Sequence, residues 1–360
     1  MSDEGKRILI VGGVAGGASC AARARRLCER CEIVVFDRGP YVSFANCGLP
    51  YYIGHVIKEL DDLLLTTPSA FSARYKVDIR NHSEVTAIDR ENKTVHVTEV
   101  LTRNTYKEPY DKIILSPGAE PLKPPIPGIA LPNIYSLRNI PDADRIKALV
   151  ESRKPETAVV VGGGFIGIEM AENLVEKGVK TVLVEQLDQV MAPLDYEMAA
   201  IVHALLLEKG VVLELGNGVA SFSQKEDRIA VSTVKGGTIT CDMVILAIGV
   251  RPENRLALSA GLSVGKKGGI KVNASMQTSD PDIYAVGECV EFNGLLFGLV
   301  APLYDQAKVL AQTLLGEDAA FKQRSLSTKL KVTGCDLFSA GDFAEGETRE
   351  DIVFRDPARG

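Results

Sequence analysis

A chain of 360 residues that is 46% hydrophobic and 24% charged carries enough apolar side chain for two to three globular domains with sizeable cores. Its net charge of −6, with basic residues scattered along the chain, argues against nucleic acid as a partner. The charged start, Met1 to Arg7, lacks the layout of a signal peptide, and no run of about eighteen apolar residues predicts a membrane span.

Residues 6–37 read as strand, glycine turn, helix and strand. Arg7 to Val11 is the first strand, Gly12-Gly13-Val14-Ala15-Gly16-Gly17 the turn, and Ala18 to Arg30 an alanine-rich helix. Glu32 to Phe36 is the second strand, ending at Asp37. This is the layout of a dinucleotide-binding βαβ unit: glycines let the backbone approach a pyrophosphate on the helix N-terminus, and the acid accepts from a ribose hydroxyl. The middle glycine of G-x-G-x-x-G is replaced by Val14, so this fingerprint taken alone is weak. Cys28 and Cys31 form a C-x-x-C at what reads as a surface helix end, with no second pair at zinc spacing. Seven cysteines scattered over a long chain suggest a reduced, cytoplasmic protein with free thiols.

Ser43-Phe44-Ala45-Asn46-Cys47-Gly48-Leu49-Pro50-Tyr51-Tyr52 follows, read as a short loop running into a helix start. A thiol at a helix N-terminus is shifted toward thiolate, the nucleophilic form, and Ser43 and Asn46 are candidate donors to it or to a bound thiol ligand. The bland alternative is a small buried hydrophobe, the common fate of a cysteine outside disulfides. Residues 60–82 read as a helical excursion and a strand. Glu84 to Asp89 and Lys93 to Val100 alternate like paired strands. Tyr110 to Ala119 is a buried strand that ends in a small-residue turn. Pro121, Pro124, Pro125 and Pro127 then mark a crossover.

The second domain repeats the theme. Ala158 to Val161 is a strand, Gly162-Gly163-Gly164-Phe165-Ile166-Gly167 a complete fingerprint, Ile168 to Glu176 a helix, and Thr181 to Val184 a strand ending at Glu185. An acid at that strand end favours NADH over NADPH, with Lys180 nearby leaving NADPH open. Cys241 to Arg251 matches Lys112 to Ala119, so a whole module is duplicated. Thr278 to Glu288 is a turn and a short strand, Leu299 to Leu315 a helix, and the pattern from Lys329, including Ile352 to Arg355, turns to strands without a complete third domain.

These ordered motifs resemble the two-dinucleotide-domain flavoprotein disulfide reductases over about residues 7–320. The resemblance implies an α/β fold of two Rossmann-like (three-layer ββα) domains, the second inserted in the first: FAD-binding 1–119 and 248–320, NAD(P)H-binding 120–247, and a partial C-terminal α+β interface segment at 321–360. It implies an FAD site of Gly12, Val14, Ala15, Gly16, Gly17, Asp37, Arg38, Val85, Ser116, Gly118, Gly287 and Glu288. Gly12, Gly17 and Asp37 would hold the ADP half, and Glu288, where most members carry aspartate, the ribitol. It places the nicotinamide cofactor, NADH with NADPH as the alternative, at Gly162, Gly164, Phe165, Ile166, Gly167, Glu169, Glu185 and Gly249.

Within that family the run around Cys47 is most similar to coenzyme A disulfide reductases and NADH-dependent persulfide reductases. Members with a C-x-x-x-x-C pair are excluded, because position 52 is Tyr52. The implied catalytic residues are Cys47, Ser43 and Asn46, the substrate a small disulfide or persulfide of coenzyme A type, and the substrate-binding arginine Arg26. The resemblance also implies a homodimer. Gly287-Glu288-Cys289, Gly298 to Pro302 and Lys329 to Gly334 resemble instead the flavin module of assimilatory nitrite reductase large subunits, which implies an iron–sulfur electron acceptor. An NADH oxidase or peroxidase is a third reading. No metal site is expected.

Overall fold

In a computed structural model the chain is described over residues 5–325, 327–332 and 335–341. Runs of β-branched and aliphatic residues fold as the central parallel strands, buried on both faces, with shorter, half-exposed strands at the sheet edges. In the first module these are Arg7–Val11 (β1), Glu32–Phe36 (β2), Asp78–Arg80 (β3) and Lys112–Leu115 (β4). The second contributes Ile134–Ser136 (β5), Thr157–Val161 (β6), Lys180–Val184 (β7), Val212–Glu214 (β8) and Met243–Leu246 (β9). Ile283–Ala285 (β10) then returns to the first sheet and pairs parallel with β4, Ile113 beside Ile283. The first sheet has the order β10-β4-β1-β2-β3 and the second β5-β9-β6-β7-β8. The order β4-β1-β2-β3 repeats as β9-β6-β7-β8, while the outer strand comes last in the first module and first in the second; the return of β10 makes the second module an insertion in the first.

Each module also carries an antiparallel meander, between β3 and β4 in the first and between β8 and β9 in the second. These are Ser83–Asp89, Thr94–Glu99 and Thr105–Pro109 in the first, and Val219–Lys225, Arg228–Thr233 and Thr238–Cys241 in the second. Besides the short helix Arg255–Ser259, the connecting helices are Ala15–Leu27 (α1), Leu49–Ile53 (α2), Pro68–Tyr75 (α3), Ile140–Arg153 (α4), Phe165–Glu176 (α5), Tyr196–Glu208 (α6) and Val300–Leu314 (α7). Both fingerprint helices begin inside the glycine turn, three residues before the sequence reading. The crossings between modules, Ala119–Pro121 and Val250–Pro252, pair antiparallel, so the two connections brace each other. The hairpin Ser327–Val332 with Cys335–Ala340 rests on the second module, where Leu330 is fully buried. Thr333, Gly334 and the strand expected at Ile352 to Arg355 lie outside the described residues.

The cysteine reading is corrected in one place. Cys28 and Cys31 form a disulfide, and both are buried in the first core rather than lying at an exposed helix end. The cause is Arg25, which bonds the carbonyls of Cys28 and Glu29 on one side and of Tyr75 and Lys76 on the other, closing α3 over the end of α1. Among the described residues no helix is long and apolar enough to cross a membrane, and no group of three or more His, Cys, Asp or Glu could hold a metal ion.

Candidate active site

The two glycine turns are superposable in their chemistry. Gly12 and Gly162 open them at φ +100° and +109°. A Cβ there would stand 2.1 Å from the Ser116 carbonyl oxygen and 2.4 Å from that of Ala247, so only glycine fits. Gly17 and Gly167 let each helix close on its own turn, with a Cβ meeting Gly12 O at 1.8 Å and Gly162 O at 1.9 Å. The acids do the same job in both. Asp37 accepts from Gly13 N–H at 2.7 Å and Gly39 N–H at 2.8 Å; Glu185 accepts from Gly163 N–H at 2.6 Å and Leu187 N–H at 2.8 Å. Burial pushes the Asp37 carboxyl above its ordinary value, against those two N–H groups and the nearby Arg38 and His82.

The position where the fingerprints differ shows why they can. Val14 and Gly164 are the N-cap residues of α1 and α5, at φ −87° and −81°, a conformation open to any residue. A Cβ on Gly164 would meet nothing within 4 Å. The protein's own packing therefore does not require glycine at this position. Neither helix has a side-chain cap at its N-terminus, so the first-turn N–H groups of both face outward at the cradle, with Ala15 and Gly16 in one, and Phe165 and Ile166 in the other. Both cradles thus fit the pyrophosphate of a dinucleotide.

Around the first cradle, Ser116 N–H bonds Val11 O, and its hydroxyl would stand 2.6 Å from a Cβ on Gly16. Val85 is buried on the strand whose first residue, Ser83, donates to Asp37 O. Gly287, at φ +99°, donates its N–H to Gln306 Oε1 of α7 at 2.8 Å. Glu288 forms an ion pair with Arg138, whose guanidinium also lies 3.1 Å from where a Gly118 Cβ would be. Arg138 was not legible in the sequence: its partner is 150 residues away. Gly249, on the opposite connection, sits against Leu122, which donates its N–H to Gly249 O.

Cys47 lies in a 3-10 turn, Asn46–Gly48, that runs directly into the five-residue α2. Ser43 takes a left-handed φ of 51° and is clamped there: its N–H bonds Gly13 O at 3.2 Å and its carbonyl accepts from Leu65 N–H at 2.9 Å. The strained residue redirects the chain from the first cradle into the cysteine turn. Cys47 is exposed. Cys20, Cys241 and Cys289 are buried, and burial pushes all three thiols up, Cys241 and Cys289 to about 12. A thiol so shifted is inert near neutral pH. α2 docks on the second module: Tyr51 donates to Glu169 of α5 at 3.3 Å, and Tyr52 to Asp144 of α4 at 3.2 Å. Arg26 is exposed at the end of α1, its guanidinium 5.8 Å from the centre of the Tyr75 ring, with Arg74 5.3 Å from the same ring. Tyr75 and Arg74 were missed by sequence reasoning, since α3 meets α1 only in the fold.

The sequence profile of the pyridine nucleotide-disulphide oxidoreductases matches residues 6–312. The coenzyme A disulfide reductase of Staphylococcus haemolyticus is 34% identical over 79% of this chain and 63% of its own. The nitrite reductase [NAD(P)H] large subunit of Klebsiella oxytoca is 34% identical over 90% of this chain and 33% of its own. Among solved structures, reduced Bacillus anthracis CoADR-RHD superposes with a TM-score of 0.91 at 47% identity, covering 94% of this chain and 62% of that one. The chain therefore spans less than two thirds of the staphylococcal and Bacillus proteins. With the duplicated cradles and the profile match, the chain belongs to the pyridine nucleotide-disulphide oxidoreductase family, whose members are FAD-dependent and take electrons from NADH or NADPH.

Proposed function

We propose that the chain reduces a small disulfide or persulfide of coenzyme A type at Cys47, with FAD in the first module and NADH in the second. The observation that carries this reading is the placement of Cys47. It is an exposed thiol on a turn just after Ser43, whose N–H bonds Gly13 O of the first glycine cradle, while the helix it leads into is bonded to α5 of the second.

Gly12, Gly16 and Gly17 with Asp37 hold the ADP half of FAD, with Arg38, Val85 and Ser116 lining its path and Gly118, Gly287, Glu288 and Arg138 the far end. Gly162, Gly164 and Gly167 with Glu185 hold the nicotinamide dinucleotide, with Phe165, Ile166, Glu169 and Gly249 beside it. When bound, FAD supplies the two-electron chemistry that connects a dihydronicotinamide to a sulfur–sulfur bond. Cys47, as thiolate, attacks one sulfur of the disulfide, forms a mixed disulfide and releases the first thiolate. Two electrons then cleave that bond, release the second thiolate and restore Cys47. Two protons complete the two product thiols. Ser43 shapes the turn through its backbone, and Asn46 opens the 3-10 turn that carries the sulfur. Arg26 and Arg74, flanking Tyr75, offer positive charge to the phosphates of a coenzyme A-type substrate.

The match to a nitrite reductase large subunit supports a second reading, in which the same cofactors feed an iron–sulfur acceptor. Anaerobic reduction by NADH, then separate challenge with coenzyme A disulfide, a persulfide, oxygen and an iron–sulfur protein, separates the readings. Rapid reoxidation by the first or second alone supports the proposal, and reoxidation only by the iron–sulfur protein replaces it.

A further inference from the structure

α2 is five residues long, yet it is bonded to the second module on two sides. Tyr51 reaches Glu169 on α5, and Tyr52 reaches Asp144 on α4 with the Lys147 ammonium 3.7 Å from the Tyr52 ring centre. At its end, Gly54 meets α5 so closely that a Cβ would stand 1.9 Å from Asn173 Oδ1. Asn173 lies one turn beyond Glu169 and donates its amide to the Glu169 carbonyl at 2.8 Å. The cysteine-bearing segment is thus laid along α5 in a fixed register. Glu169 is the first ionisable residue of α5, counted from the open cradle at Gly164. The phenol that meets it belongs to the other module and follows Cys47 by four residues.

We propose that Tyr51 is a positioning residue for Glu169: the segment that carries the thiol orients the carboxylate at the head of the nicotinamide helix, so the two centres share one hydrogen-bonded unit. A tyrosine suits this task. Burial, then the Glu169 and Glu172 carboxylates, push its hydroxyl up, so it remains a donor across the working pH range. The rigid ring also holds the hydroxyl at one reach, where a lysine or arginine would bring a mobile charge. The inference rests on the assignment of the second cradle to the nicotinamide dinucleotide, and not on the disulfide substrate.

The test compares the full-length FAD-loaded protein with Tyr51→Phe, Glu169→Ala, the double variant, and Tyr52→Phe as a control that cuts the other tether of the same helix. NAD+ binding is read by calorimetry, flavin reduction by stopped flow with NADH, and the order of residues 46–54 by hydrogen exchange. Tyr51→Phe and Glu169→Ala should each weaken NAD+ binding about threefold or more and slow flavin reduction about tenfold, and the double variant should be no worse than the poorer single. Tyr52→Phe should loosen residues 46–54 while leaving NAD+ binding and flavin reduction within about twofold. Tyr51→Phe matching Tyr52→Phe in both nicotinamide readouts, or the two single effects multiplying in the double variant, overturns the inference. Should Glu169→Ala not yield folded protein, the comparison of the two tyrosine variants decides alone. A protein that reduces no disulfide yet shows this pattern keeps the inference and loses the proposed substrate; one that reduces disulfide without the pattern does the reverse.

Discussion

Arg138 and Glu288 pair at the far end of the first cradle, each about a quarter exposed. The acid expected to meet the ribityl chain of FAD therefore already has a cation in place. A pair this exposed contributes little to folding, about 1 kcal/mol or less. Arg138→Met should accordingly leave the FAD-free chain nearly as stable as before, whereas Glu288→Ala should weaken FAD retention by roughly 1.5–3 kcal/mol, the range for a hydrogen bond to a charged group. Denaturant unfolding of the FAD-free chain measures the first, and fluorescence titration of released FAD the second. Equal FAD retention in Glu288→Ala and the unmodified protein would remove Glu288 from the site.

Gly162 and Gly164 should respond oppositely to the same added methyl group. Gly162→Ala forces a Cβ onto the Ala247 carbonyl at a positive φ and should destabilise the chain by about 2 kcal/mol or more. Gly164→Ala meets no protein atom, so its melting temperature should hold while the KM for NADH rises about tenfold or more. Thermal melts beside steady-state kinetics separate the two. A destabilised Gly164→Ala would show that this glycine serves the backbone.

Glu185 accepts from Gly163 N–H as Asp37 accepts from Gly13 N–H. Glu185→Arg should lose the bond to Gly163 N–H and invite a 2′-phosphate, shifting the preference toward NADPH by about tenfold or more. Stopped-flow flavin reduction with each nucleotide is the measure. Faster reduction by NADPH in the unmodified protein would contradict the role given to Glu185.

Acid stability should depend on Asp282, which joins β10 to the first sheet. Burial alone would push its carboxyl up, but bonds from Lys112 and Lys93 hold it below the ordinary value. A carboxyl lowered in the folded state contributes stability above its unfolded pKa of about 3.9, and that contribution is lost as pH falls through the folded value. Asp282→Asn should lower the melting temperature at pH 7 and flatten the loss on acidification toward pH 3. An unchanged slope would show that the pairs contribute nothing.

Much of this was readable before any coordinates. The strand, glycine turn, helix, strand and acid of each module are local in sequence, and their periodicity and spacing follow directly from parallel-sheet burial and helix-head chemistry. The loop that carries Cys47 into a helix start was readable for the same reason, within one short stretch. What was not readable depends on contacts between distant segments. Arg138 meets Glu288, Tyr51 meets Glu169, and Tyr75 stacks near Arg26 only after the second module is inserted and α3 folds onto α1. The Cys28–Cys31 segment looked exposed because it falls at a helix end. Arg25 instead ties that end to α3 by bonding four carbonyls, a pattern without a local signature.

The central claim is that Cys47 carries the reduction of the disulfide, and turnover by Cys47→Ser tests it most directly. The hydroxyl keeps the shape of the turn but is a poor nucleophile toward sulfur. The variant should bind FAD and accept electrons from NADH at the unmodified rate, since Gly12, Asp37, Gly164 and Glu185 are untouched. Its reduction of coenzyme A disulfide should fall by about three orders of magnitude or more. Full disulfide turnover by Cys47→Ser, measured as NADH-dependent thiol release under anaerobic conditions, would contradict the account.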